Sequence, residues 1–129
     1  PLKLIWAKTA YPQDELLCET DVLARLETNE GYPVNILASV GGIQPDRQEF
    51  TVKGSTKSRR ISEFYKDEET SGDKFVSLRD EPRNPRAVSL KAQLDDLFLN
   101  IKGLPNRLAT IDEALRVQIL VEGILSSSK

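Results

Sequence analysis

The sequence predicts an α+β fold: a predominantly antiparallel open sheet of about six strands, with two C-terminal helices packed on one of its faces. Three features carry that prediction. Short runs of alternating apolar and polar residues, separated by turn residues, fill the chain as far as Leu78. From Leu90 onward the apolar residues recur at helical spacing instead. Between the two regimes lies Glu81-Pro-Arg-Asn-Pro85, a linker whose two prolines exclude a helix interior or a central strand.

Leu2 to Ala10 is the first predicted strand, followed by a loop around Asp14 and Glu15. Asp21 to Thr28 and Val34 to Val40 alternate, joined by a turn in which Gly31 supplies a positive φ. Val22, Ala24 and Leu26, with Val34, Ile36, Ala38 and Val40, form the inner face of this hairpin. Gly41-Gly42 ends it. Glu49 to Lys53 and Arg59 to Tyr65 are the next strands, and Lys66 to Asp73 has the charge density of a solvated hairpin loop. A short strand, Phe75 to Leu78, precedes the linker. The first helix runs over Leu90 to Ile101 with Leu90, Leu94, Leu97, Phe98 and Ile101 in one stripe, and Gly103 and Pro105 stop it. The second runs over Thr110 to Leu125. Thr110 and Glu113 stand at capping-box spacing, and Gly123 permits close approach of a neighbour.

A chain of 129 residues fits one domain with one core. Its 18 basic and 20 acidic residues are well mixed, so no field for nucleic acid or an anionic membrane follows from composition. The N-terminal apolar run is too short for a signal peptide or membrane span. Cys18 is the single cysteine, which excludes an intrachain disulfide and fits a reducing, cytoplasmic setting. The absence of histidine removes the commonest general base and every Ser-His or Cys-His arrangement. No catalytic, cofactor-binding or metal-ligating set emerges. Lys57-Ser-Arg-Arg60 is a solvated edge before it is a phosphate site, and Asp67-Glu-Glu69 lacks calcium-loop spacing. Trp6 and Tyr11, which flank the end of the first strand, are the candidates for lining a small-molecule site.

The stretch from Cys18 to Ser128 resembles the C-terminal domain of the glucose–fructose oxidoreductase, inositol dehydrogenase and rhizopine-catabolism (Gfo/Idh/MocA) family. Thr20-Asp-Val-Leu-Ala-Arg-Leu26 with Val34 to Val40 resembles that domain's central hairpin, and Phe50-Thr-Val-Lys-Gly-Ser-Thr-Lys-Ser58 its strand and glycine turn. Leu94-Asp-Asp-Leu-Phe98, Asn106, Thr110, Ala114-Leu-Arg-Val117 and Ile124-Leu-Ser-Ser are similar to its last two helices. The family's Glu-Lys-Pro segment, Asp-x-x-x-His pair and glycine-rich cofactor loop have no counterpart here, so no catalytic or cofactor residue is carried over.

The resemblance implies a larger enzyme that moves hydride between NAD or NADP and a sugar, polyol or related carbonyl substrate. This chain would then be its substrate-binding and oligomerisation domain, inactive alone, with the Rossmann domain upstream. A homo-oligomer through the open sheet face is expected, with Leu23 and Leu37 at its apolar centre and Arg25, Glu27 and Asn35 around them. The alternative is a free-standing, non-enzymatic α+β module for ligand binding or dimerisation.

Overall fold

The computed structural model describes residues 1–13, 18–43, 45–80 and 82–128. The loop expected at Asp14 and Glu15 lies outside the described residues, as does Glu81 of the predicted linker. The fold is α+β with antiparallel strands, as the alternation predicts. The strands are partitioned differently from the expectation. Among the described residues, seven strands form a three-stranded and a four-stranded sheet instead of one sheet of about six, and the two helices belong to different compact units. Alternation reports that a strand has an inner face; it carries no information on which strand edges meet.

The first unit comprises residues 1–43 and 109–129. Its strands β1 (Leu2–Ala10), β2 (Asp21–Thr28) and β3 (Pro33–Ser39) lie in sequential order. Gly31, at φ 82°, closes the β2–β3 turn by donating its N–H to the Thr28 carbonyl at 3.0 Å. Helix α2 (Ile111–Leu125) packs on β1. Its start follows the sequence: the Glu113 N–H donates to Thr110 Oγ1 at 3.2 Å, and the Thr110 N–H donates to Glu113 Oε2 at 2.7 Å.

Ala24, Leu26 and Ile124 are the buried apolar residues of this unit. A Cβ on Gly123 would stand 3.2 Å from Leu4 Cδ2, which is the close approach the glycine allows. Thr9 Oγ1 donates to the Ile124 carbonyl at 3.0 Å, and Tyr11 Oη donates to the Leu125 carbonyl at 3.1 Å. Both acceptors are last-turn carbonyls, and that of Ile124 also accepts from Ser127 Oγ at 2.6 Å. The C-terminal turns of α2 are therefore fixed, while Leu115 and Val117 of its apolar stripe stay exposed.

The second unit spans residues 44–108. Strands β4 (Glu49–Lys53), β5 (Ser58–Ser62), β6 (Lys66–Thr70) and β7 (Val76–Ser77) form a meander in sequential order. Strand β6 occupies the stretch expected to be a charged loop. Acidic residues are poor strand formers in isolation, but here each carboxylate is held by a base on β5 or in the turn that precedes it. Arg60 opposes Glu68, and Arg59 Nη2 reaches both carboxylate oxygens of Asp67 at 3.1 Å. Lys57 Nζ holds Glu69 Oε1 at 2.7 Å. The turn between these strands places Glu63 and Phe64 at φ 48° and 66°, left-handed conformations that cost a bulky residue energy.

Helix α1 (Pro85–Ile101) begins five residues before the expected Leu90. Pro85 is tolerated at the first helical position because its missing N–H has no helical partner to lose. Asn84 caps the helix, its Oδ1 accepting from the Ala87 N–H at 3.1 Å. At the other end Gly103, at φ 68°, builds a two-bond stop. The Leu104 N–H donates to the Leu99 carbonyl at 3.0 Å and the Gly103 N–H to the Asn100 carbonyl at 2.9 Å. The chain then returns along the helix through Arg107, whose Nη2 lies 3.0 Å from Oδ2 of the buried Asp96.

Candidate functional site

Trp6 and the five interface candidates converge on the face of the three-stranded sheet that α2 does not cover. Directly paired residues on antiparallel strands point to the same side. Leu4 pairs with Leu26, Ala7 with Ala24 and Thr9 with Val22, and these face α2. The opposite side carries four transverse rows: Ala10–Asp21–Ser39, Lys8–Leu23–Leu37, Trp6–Arg25–Asn35 and Lys3–Glu27–Pro33. All five residues expected at an oligomer interface thus share one surface, with Leu23 beside Leu37 and Arg25 beside Asn35. Arg25 Nη1 donates to Asn35 Oδ1 at 2.8 Å, which fixes the guanidinium across the strands. Leu37 is 83% exposed and Trp6 48%.

Trp6 reaches this face through a β-bulge. The register shifts between Leu4 and Trp6, so that Ile5 is the extra residue and Trp6 stands opposite Arg25. Without the bulge, strict alternation would put Trp6 on the same side as Leu4. The two aromatic candidates are consequently separated. Trp6 belongs to the open face, whereas Tyr11 reaches the helix side and spends its hydroxyl on α2. Nothing in the sequence marks Ile5 as the inserted residue.

In the second unit the two charged runs neutralise one another. The Arg60 guanidinium bonds Glu68 at 2.8 and 3.1 Å, and its Nη1 lies 3.8 Å from Glu49 Oε2. It also sits over the Phe75 ring, 4.1 Å from the centroid. Hydrogen bonds from Arg60 and Ser62 hold the Glu68 carboxyl below the usual carboxylate range. Lys57 lowers Glu69 in the same way, and Arg47 and Thr51 lower Glu49. Mutually paired in this way, these runs offer neither a free basic phosphate site nor a free acidic cation site. Part of the signal for their pairing was present in the sequence: bases at 59 and 60 mirror acids at 69 and 68 about the turn at residue 64.

Two open clefts lie in this unit. One, of about 420 Å³, runs from Tyr65 and Lys66 past Arg79 to Pro85 and Val88. The other, of about 400 Å³, is floored by Phe50, Val52 and Ile61 and walled by Phe64. Neither contains Trp6 or Tyr11. Among the described residues, no group of three or more Cys, Asp or Glu side chains is placed to hold a metal ion. Among the described residues, no helix is long and apolar enough to cross a membrane. Cys18 is exposed.

No family model matches the chain, and neither a known protein nor a solved structure matches it.

Proposed function

We propose that the chain is a non-catalytic domain of an NAD(P)-dependent oxidoreductase acting on a sugar, polyol or related carbonyl compound. In this reading it furnishes part of the substrate cleft and joins copies of the enzyme through the open face of its three-stranded sheet. The enzyme class rests on the resemblance of residues 18–128 to the Gfo/Idh/MocA C-terminal domain. The observation that carries the assembly role is the pair of rows Leu23–Leu37 and Arg25–Asn35 on one uncovered face. Two adjacent leucines beside a polar pair held at 2.8 Å make an apolar centre with an ordered rim. The hydride chemistry and the dinucleotide belong to the remainder of the enzyme, and this domain's residues position and exclude.

Two measurements test the two halves. Light scattering coupled to size exclusion is expected to give a multiple of 14.5 kDa at micromolar concentration, and Leu37→Glu is expected to lower it. A mass that Leu37→Glu leaves unchanged rejects the interface. Calorimetric titration with NADH and NADPH is expected to show no binding to this chain, and a micromolar dissociation constant for either rejects the division of labour.

A further inference from the structure

Among the described residues the two sheets have four edge strands, and three of them are blunted against pairing. Strand β1 carries Lys3, Lys8 and the bulge at Ile5. Strand β4 begins and ends on charges, Glu49 and Lys53, and β7 is only two residues long. Strand β3 is the exception. Pro33-Val-Asn-Ile-Leu-Ala-Ser39 contains no charged residue, and its register with β2 is unbroken. An exposed, uncharged, regular edge is a template for another strand.

The hydrogen bonds identify the spare backbone groups of β3. At one end the Thr28 N–H donates to the Tyr32 carbonyl at 2.9 Å, and at the other the Val40 N–H donates to the Thr20 carbonyl at 2.8 Å. Backbone groups alternate in direction along an antiparallel ladder. Residues of even number therefore turn theirs toward β2, and residues of odd number turn theirs outward. Asn35, Leu37 and Ser39 present N–H and C=O at the free edge, where no described residue bonds them. Pro33, also odd, has no N–H to leave unpaired.

We infer that this edge pairs with β3 of a second copy, antiparallel about a two-fold axis at Ile36, joining two three-stranded sheets into one of six strands. The edge itself selects an extended strand as occupant, since that is the shape that meets its donors and acceptors in order. Among the strands described, β3 is the one that a second copy can offer unblunted. The register follows from direction. Outward groups must meet outward groups, so full overlap sets Asn35 opposite Leu37 and Ser39 opposite Pro33 of the other copy. Between them Ile36 meets its own copy in a close, non-hydrogen-bonded pair, and Val34 meets Ala38. Like meets like without repulsion, because residues 33–39 carry no charge.

Burial on the helix side fits this occupant. Helix α2 lies over β1, at the far edge of the sheet, and Val34 and Ile36 are left half-buried and Ala38 exposed. A continued sheet extends that apolar side with the same three residues. The pairing also closes. The outer edges of the joined sheet are the two β1 strands, whose bulge and lysines stop further addition.

The edge and the open face are different surfaces and fail separately. Leu37→Glu keeps its N–H and sets its carboxylate opposite Asn35, so this variant is expected to remain a dimer of twice 14.5 kDa by light scattering at micromolar concentration. A mass of 14.5 kDa for Leu37→Glu overturns the edge pairing and leaves the face standing, and a monomeric parent chain overturns both. The second test reads register. In a Cys18→Ser background, Ile36→Cys is expected to give a disulfide-linked dimer under mild oxidation, because the close pair brings the two Cα atoms within disulfide range. Val34→Cys, on the same side of the same strand, is not, since its counterpart lies about 13 Å along the partner strand. Equal crosslinking of the two, or none for Ile36→Cys, overturns the proposal. The third test leaves the chain unmodified. Amide exchange at Asn35, Leu37 and Ser39 is expected to slow as protein concentration rises, and exchange independent of concentration overturns the pairing.

Discussion

Arg60 and Glu68 face each other across the β5–β6 ladder, with the guanidinium holding both carboxylate oxygens at 2.8 and 3.1 Å. The pair is the centre of a lattice that makes a strand of residues whose intrinsic preference is against one. Its strength depends on the carboxylates staying ionised. Glu68, Glu69 and Glu49 all have folded-state pKa values below their ordinary 4.5, Glu68 through hydrogen bonds from Arg60 and Ser62. A group depressed on folding contributes its stabilisation in full above the unfolded value and loses it as pH falls through the folded one. The urea midpoint of the parent chain is therefore expected to be level from pH 7 to about 5 and to fall below about 4.5. In Glu68→Gln the midpoint at pH 7 is lower and the acid decline shallower. A parent midpoint constant between pH 5 and 3 contradicts this account.

Thr110→Ala removes the oxygen that accepts the Glu113 N–H and the first half of the capping box. The expected cost is about 1 kcal/mol. Thr110→Ser, which keeps the acceptor, is expected to recover most of it. Urea denaturation followed by circular dichroism at 222 nm reads both, and equal midpoints for parent and Thr110→Ala place the start of α2 elsewhere.

Phe64 holds φ 66° in the β5–β6 turn, where the Tyr65 N–H donates to the Ser62 carbonyl at 3.1 Å. An L-residue with a bulky side chain is strained in this conformation, and glycine is not. Phe64→Gly is expected to stabilise the hairpin by about 1 kcal/mol, the released strain outweighing the added freedom of the unfolded chain. Slower amide exchange at Arg60 and Glu68 is the reading that supports it, and faster exchange there shows that the Phe64 side chain is needed for contact.

Local rules decided what was legible in the sequence. The Thr110–Glu113 cap, the Gly103 stop and the inner face of β2 obey spacing rules that act over a few residues, and the structure keeps them; of the inner face expected over Val34 to Val40, Val34 and Ile36 are half-buried and Ala38 and Val40 are exposed. Pro85 was misleading because a proline that ends one regular element also opens another, and the cap on Asn84 decides which. Strand β6 escaped because its stabilisation lies in partners on β5, not in its own composition. The candidate interface was legible as a face of one hairpin, since β2–β3 register follows from a short turn. The arrival of Trp6 there depends on a bulge that composition does not signal.

That bulge has a consequence for how the chain tolerates change in length. Residues 2–4 and 6–10 of β1 follow the same alternation with opposite phase, and Ile5 is the single residue that reconciles them. Deleting Ile5 restores an unbroken ladder at the level of the backbone. With the Leu4–Leu26 pairing kept, Trp6 then follows Leu4 directly and stays opposite Arg25, Ala7 stays opposite Ala24 and Thr9 opposite Val22, so every side chain keeps its face and Thr9 keeps the Ile124 carbonyl. A one-residue deletion at the bulge is thus absorbed where it is made. Deleting Ala7 with the bulge kept instead turns Lys8 to the helix side and Thr9 outward, and so takes a hydrogen bond from the end of a helix more than a hundred residues away.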